Sequence, residues 1–232
     1  MSEAYLISGV QQPTGSGLDD LLKAICGQSS IRPDRVNEIH LFSDTASALF
    51  QRRLTTSSGI VIHWPLIPFL PVNVLFSACR ALESGDISTC ILAENSGKFS
   101  CAVLLANPNG VGRFNLTPLV QLAGRFTYPG GIPDLKATAD MALQTVPPVE
   151  VYAGSELDEP RVNPNVHPWL SIHSPAKPVS LNWPADRLIY STSILPGLMM
   201  LAIAMNKTKA ASGVWISLAE NEPAAALVAL PL

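Results

Sequence analysis

The chain has 232 residues, enough for one large domain or two modest ones with a sizeable core. It is 47% apolar and only 14% charged, whereas about a quarter of a usual soluble domain is charged. The formal net charge is −3 and no Lys/Arg cluster occurs, which excludes nucleic acid as a partner. A surface so poor in charge indicates that part of it is covered, by a partner or by a second copy of the chain.

No basic region followed by an apolar run opens the chain, so the sequence predicts no secretion and a cytoplasmic location. The uncharged stretch at residues 59–79 is interrupted by prolines, and the one at 191–206 is shorter than the ~20 residues that span a bilayer. We therefore expect no membrane span. The cysteines lie in apolar runs without CxxC spacing, which favours buried thiols over disulfides or a zinc site. They are Cys26, Cys79, Cys90 and Cys101.

The first half predicts strand, helix, strand, helix and then two paired strands. Asp19 and Asp20 fall in the first turn of the first helix, where the helix dipole favours acids. The second helix has Pro71 near its start and Gly85 as its stop. The predicted strands are residues 4–10, 38–42, 88–93 and 101–106, and the predicted helices are 18–25 and 72–82.

The second half repeats this scheme. ILAEN at residues 91–95 recurs as ISLAEN at 216–221, each time followed by a turn and an apolar run. We interpret this as a duplication into halves 1–123 and 124–232 that pack as one compact unit, although four common residues also recur by chance. The predicted elements are strands at 116–126, 149–153, 214–219 and 224–230, helices at 132–143 and 194–205, and a proline-rich excursion at 156–184.

Five passages, in this order, resemble the thiolase superfamily of thiolases and ketoacyl synthases. They are YLISGVQQPTG, LLKAICGQSSIRPDRVNEIHLFS, ALESGDISTCILAEN, CAVLLANPNGVGRFNLTPLVQLAGRF and VWISLAENEPAAALVALPL. The resemblance implies a duplicated, five-layer αβαβα thiolase-like α/β fold. It also implies a minimal version, because Ser96-Gly97-Lys98 fills the place of the loop domain that grips coenzyme A in that family. We therefore predict no coenzyme A site of the family type and no cofactor.

The catalytic residues that the resemblance implies are missing. The nucleophilic cysteine belongs about seventeen residues before Gly85, where this chain has Pro68. The family histidine has no counterpart, because no histidine follows His173. No cysteine follows Cys101, and the family's Cys-x-Gly turn is replaced by Leu218-Ala219-Glu220. Claisen chemistry needs a thiolate and a polar pair for the enolate and the oxyanion, so we predict no thiolase or ketosynthase turnover.

Other candidates carry weaker signals. The Asn-Glu pair of thiolases corresponds to Ser155-Glu156, which keeps only the carboxylate. Cys79 with His63 as base is a conceivable nucleophile, but its place on an apolar helix stripe favours a buried structural thiol. His167 and His173 have no zinc-type spacing and favour a loop role, and we predict no metal site. Gly15-Ser16-Gly17 before a helix is a possible phosphate cradle, but a plain turn is favoured.

Three functions remain open from the sequence. The first is a non-catalytic thiolase-like subunit that pairs with an active thiolase or ketosynthase in acyl-CoA or acyl-carrier metabolism, for lipids or polyketides. The second is a divergent acyltransferase with an unrecognised nucleophile, and the third is a homodimeric acyl-binding protein. The uncharged residues 59–73 predict a homodimer or heterodimer contact, with packing inside the subunit as the alternative. The interface candidates are Trp64, Leu66, Ile67, Phe69 and Leu70.

Overall fold

The computed structural model describes residues 3–13, 16–43, 61–63, 70–95, 100–128, 151–155, 194–217 and 224–232. The chain divides into two compact units, Met1–Leu119 and Val120–Leu232. Within the described ranges, no helix is both long and apolar enough to cross a membrane.

The first unit contains every strand and helix predicted for it, with ends shifted by up to three residues. Its strands run in the order β3-β2-β4-β5-β1; β2 is parallel to β3 and β4, and β5 is antiparallel to β4 and β1. The elements are β1 (Tyr5–Gln12), α1 (Leu18–Gln28), a 3-10 turn (Pro33–Arg35), β2 (Glu38–Ser43), β3 (Val61–His63), α2 (Val72–Ser84), β4 (Thr89–Asn95), β5 (Ser100–Ala106) and α3 (Pro108–Phe114).

Side chains alternate between the two faces of the sheet along each strand, and in β4 and β5 the side chains on both faces are buried. Ile39 and Ile91 face α1, where they share a core with Leu21 and Ile25. Cys90, the neighbour of Ile91, points to the other face, which α2 covers. Every residue of β4 and β5 is buried, so this hairpin is the centre of the unit.

Helix α2 has the ends that its sequence predicts. Pro71 is its N-cap, where a missing N–H costs nothing. Gly85 is its C-cap with φ of 83°, a left-handed conformation that favours glycine, and its N–H donates to Leu82 O at 3.2 Å. The helix therefore has a fixed start and end.

Two elements of the first unit were not predicted. β3 lies in the proline-interrupted segment, and α3 follows β5 directly. Helix α3 is capped by the buried Asn107, whose Oδ1 accepts a hydrogen bond from Gly110 N at 2.9 Å. The same side chain donates to Leu82 O at 3.0 Å and Ile87 O at 2.9 Å. Asn107 therefore joins the end of α2, the approach to β4 and the start of α3.

The second unit has the strand order β7-β8-β9-β6, with β7 parallel to β8 and the other pairs antiparallel. β6 begins at Val120, four residues later than predicted, and α4 accommodates Pro196 in its first turn. The predicted helix at 132–143 and excursion at 156–184 lie outside the described residues. The elements are β6 (Val120–Tyr128), β7 (Val151–Ser155), α4 (Ile194–Thr208), β8 (Gly213–Ser217) and β9 (Ala224–Leu230).

Both units have the same internal register. β1 carries a bulge between Leu6 and Ser8, and β6 carries one between Leu122 and Gly124. Beside the first bulge β5 pairs Leu104 with Ile91, and beside the second β9 pairs Val228 with Val214. Ile91 and Val214 are therefore equivalent positions, and the parallel pairs Glu38–Cys90 and Val151–Gly213 are equivalent too.

The repeated LAEN phrase does not follow this equivalence. In the first unit it forms the last four residues of β4, whereas its second copy starts at Leu218, after β8 has ended at Ser217. The register places the two copies three residues out of step. The duplication is thus visible in strand order and register, whereas the β8 residues equivalent to Leu92, Ala93 and Glu94 are Trp215, Ile216 and Ser217.

Candidate functional site

The start of α2 is the place where the family resemblance puts a nucleophile. Leu70, just before the helix, donates its backbone N–H to Glu94 Oε1 at 2.6 Å. Glu94 lies at the end of β4 and is fully buried. Its carboxylate therefore anchors the residues that lead into α2 through the hydrogen bond from Leu70 N–H. Leu70 and Pro71 provide no thiol or hydroxyl at this helix end.

All four cysteines of the chain are buried, and none lies at the start of α2. Burial raises the pKa of Cys26 to about 11. Burial also raises the pKa of Cys90 and of Cys101 well above the usual range, with a further contribution from the nearby carboxylates, Glu38 and Glu94 respectively. A thiol reacts as its thiolate, so these three are poor nucleophiles at neutral pH.

The surroundings of Cys79 and His63 differ, and those of Cys79 favour the structural thiol that the sequence favours. Cys79 is fully buried in the middle of α2, which confirms the buried thiol that its place on an apolar helix stripe predicts. His63 lies on β3, where its ring stacks on that of His40 with centroids 4.3 Å apart and planes 12° from parallel. His63 is exposed, whereas Cys79 is enclosed by the helix and sheet.

A cluster that sequence analysis missed lies on the α2 face of β2 and β4. Glu38 and His40 are two residues apart on β2, and Cys90 faces Glu38 on β4. Glu38 Oε2 and His40 Nε2 are 3.0 Å apart, and one donor atom from each of the three residues lies within 4.8 Å of the others. The sequence signal that could have indicated this cluster is the alternation of polar Glu38 and His40 with apolar Ile39 and Leu41 along β2. Only the strand register brings Cys90, fifty-two residues after Glu38, to the same place.

The surroundings of His40 oppose its protonation. Burial lowers the pKa of its imidazole, and the stacked His63 lowers it further, while the hydrogen bond to Glu38 acts in the other direction. The side chains of His40 and Glu38 remain 13% and 23% exposed. The cluster thus keeps a neutral imidazole, a carboxyl group and a thiol close together, with the imidazole and the carboxyl group partly open to solvent.

No protein-family model matches the sequence, and no curated protein matches it. Solved structures do match. The crystal structure of human mitochondrial 3-ketoacyl-CoA thiolase is similar with a TM-score of 0.73 and 10% identity, over 99% of this chain and 99% of that chain. The crystal structure of the human mitochondrial enzyme in complex with CoA matches with the same TM-score and identity, over 99% of this chain and 98% of that chain. The chain has a thiolase fold.

The thiolase fold confirms the fold class that the sequence predicts, a mixed α/β fold of thiolase type. The β4–β5 connection has only four residues, from 96 to 99, which leaves no room for the loop domain expected there in a thiolase. Likeness at 10% identity concerns the fold and does not transfer an activity.

Of the five predicted interface residues, only Leu70 lies in the described part of this thiolase fold. It is buried within its own subunit, with 2% of its surface exposed. Trp64, Leu66, Ile67 and Phe69 lie outside the described residues, as do Pro68, Gly15, Glu156, His167 and His173. The assignment of the segment to an interface stays a prediction.

Of the remaining candidates, Gly17 is the N-cap of α1 in an extended conformation, and the choice between a phosphate cradle and a plain turn stays a prediction. Asp19 and Asp20 lie in the first turn of α1 as predicted. Asp20 also lies 3.8 Å from the Lys23 ammonium, with both side chains mostly exposed. These residues are typical of a solvated helix start.

Proposed function

We propose that this chain is a non-catalytic thiolase-like subunit that associates with an active thiolase or ketosynthase, or with a second copy of itself. The observation that carries the proposal is the start of α2. Residues 64–71, which lead into this helix, read WPLIPFLP and contain neither a thiol nor a hydroxyl. Covalent acyl transfer needs a nucleophile at such a position, and no residue here supplies one.

The distribution of thiols supports the same proposal. The cysteines lie inside helices or at the buried beginnings of strands, and all precede residue 102. A displaced thiol nucleophile would have to be one of them, yet burial keeps at least three of them protonated at neutral pH. This weighs against the alternative of a divergent acyltransferase.

Acetoacetyl-CoA thiolysis and acyl-CoA condensation test the catalytic part of the proposal. The purified chain is expected to give rates equal to the buffer control. Labelling with a thiol reagent is expected to be slow in the native protein and to reach four thiols per chain after denaturation. Turnover that a single cysteine substitution abolishes would establish the acyltransferase instead.

Co-purification from the native host tests the partner. A chain that recovers a thiolase-fold protein, or that elutes as a homodimer, supports the proposal. Calorimetric titration with CoA separates these cases from an acyl-binding protein, because a pocket for the cofactor would release or absorb heat on saturation. We expect no CoA binding.

A further inference from the structure

Glu38, His40 and Cys90 provide a carboxylate oxygen, an imidazole nitrogen and a thiol sulfur from two adjacent strands. This is the donor combination that zinc and similar divalent transition metals prefer. Because the sulfur is soft, the set does not suit Mg²⁺ or Ca²⁺, which take oxygen ligands. Cys90 is fully buried, and the other two side chains are partly open to solvent.

We propose that Glu38, His40 and Cys90 form a binding site for a zinc-type divalent transition-metal ion on the α2 face of the first unit. The proposal does not depend on the proposed function. Three protein ligands leave one of the four tetrahedral positions for water or a small anion.

The distances suit such a site after small side-chain movements. Bond lengths of about 2.0–2.3 Å to zinc place tetrahedral donor atoms roughly 3.3–3.6 Å apart. His40 Nε2 and Glu38 Oε2 are 3.0 Å apart, and the longest separation in the cluster is within 4.8 Å. The backbone positions are fixed by the parallel β2–β4 ladder, so rotation of the side chains alone closes the triangle.

The fold itself does not require these residues. In the second unit, the register-equivalent positions of Glu38, His40 and Cys90 are Val151, Ala153 and Gly213. The same parallel strand pair therefore forms without any donor atom at these places. At Gly213, an added Cβ would lie 2.7 Å from Met205 Sδ and 2.8 Å from Leu201 Cδ1, so α4 fills the space there. The donor set belongs to the first unit only.

His63 has a positioning role. A metal bound to His40 lies in the plane of that ring, while His63 stacks parallel to it at 4.3 Å, so the two rings do not share one ion. The stack instead fixes the orientation of His40, as outer partners of metal ligands do. Since His63 is exposed and the side chains of His40 and Glu38 remain 13% and 23% exposed, an ion has a path of entry.

Metal binding releases one proton to solvent and moves another within the imidazole. His40 is neutral, so the proton shared by its Nε2 and Glu38 Oε2 moves to His40 Nδ1 as the ion takes its place. The Cys90 thiol loses its proton to solvent and binds as the thiolate. No oxidation or reduction takes place.

Cobalt(II) is the probe for this site, since it occupies zinc sites and reports on its ligands. The full chain, without an affinity tag and after chelator treatment, is expected to bind one cobalt ion with a thiolate-to-cobalt charge-transfer band. Zinc is expected to displace the cobalt, since zinc binds such sites more tightly. Cys90→Ser should remove the band and weaken binding by more than the ~10–100-fold lost with an outer partner.

The matched control is Cys26→Ser, which removes another buried thiol. Cys26 lies in α1, which packs against the opposite face of the sheet. It should keep both the band and the affinity, and His40→Gln should weaken the affinity while the band remains at saturation. X-ray absorption of the wild-type cobalt protein tests the site without any variant, so it applies even when a variant does not fold. One sulfur neighbour of the cobalt is expected. No stoichiometric binding, a cobalt shell without sulfur, or a band that survives Cys90→Ser would show that the cluster is a hydrogen-bonded pair only.

Discussion

Gly110 and Gly112 lie two residues apart in α3 and are expected to respond to alanine in opposite ways. At Gly110 an added Cβ would lie 2.2 Å from Ser88 O and 3.1 Å from Thr89 Cγ2. At Gly112 nothing lies within 4 Å of the added atom. The two substitutions have the same chemistry and differ only in what surrounds them.

The cost at Gly110 follows from what must move. Ser88 O accepts the Asn107 N–H at 3.1 Å, and Gly110 N–H donates to Asn107 Oδ1, so a shift of about 1 Å strains both bonds. Overpacking costs about 1–3 kcal/mol, and a weakened helix cap adds about 0.5–2 kcal/mol. We expect Gly110→Ala to lower the free energy of unfolding by about 1.5–5 kcal/mol, whereas Gly112→Ala raises it by up to ~1 kcal/mol.

Urea unfolding followed by far-ultraviolet circular dichroism measures both values against the wild type. Gly112→Ala controls for helix propensity, since it adds the same methyl group to the same helix. If the free energies of unfolding of Gly110→Ala and Gly112→Ala differ by less than about 1 kcal/mol, the close approach of α3 to the segment before β4 is contradicted.

Three further outcomes are expected. Glu94→Leu should cost about 1–3 kcal/mol more in unfolding free energy than Glu94→Gln, because only Gln keeps an acceptor for Leu70 N–H; equal urea midpoints would contradict this. Because burial raises the thiol pKa values, the unfolded chain loses its thiol protons at a lower pH than the folded chain does. The contribution of Cys26 to stability should therefore be fully present below pH 9 and be lost as pH rises through about 11. Cys26→Ala should flatten this decline. Trp64→Asp or Phe69→Asp should convert a dimer to a monomer by light scattering, and a wild-type chain that is monomeric at tens of micromolar, alone and with its partner, would end the interface prediction.

Much of the first unit was predictable because local signals agreed with the fold. Apolar runs, the acids at the start of α1 and the Pro71 and Gly85 ends of α2 each decide a structure within a few residues. Helix α3 was missed although Asn107-Pro108 is a start signal, because Gly110 and Gly112 lower the helix propensity of its seven residues. Tertiary contacts of Asn107 with Leu82 and Ile87 compensate for this.

The candidate metal cluster was beyond sequence reasoning for a different reason. Glu38 and His40 are close in sequence, but Cys90 joins them only through the pairing of β2 with β4. Single-sequence patterns carry the alternation along one strand and not the register between two. For the same reason, the repeated LAEN residues indicated a duplication although their second copy starts at Leu218, three residues after Trp215, the register equivalent of Leu92.

The four-residue connection between β4 and β5 also has a kinetic consequence. Short loops close at little entropic cost, and a hairpin forms in about 1–10 μs. The β4–β5 hairpin is the only strand pair of the first unit, among the described residues, that is joined by so short a link. The pairings of β2 with β4 and of β1 with β5 span much longer stretches of chain and are slower to form. We therefore expect folding of this unit to begin with its most buried strands, and substitutions such as Leu92→Ala to slow folding rather than accelerate unfolding.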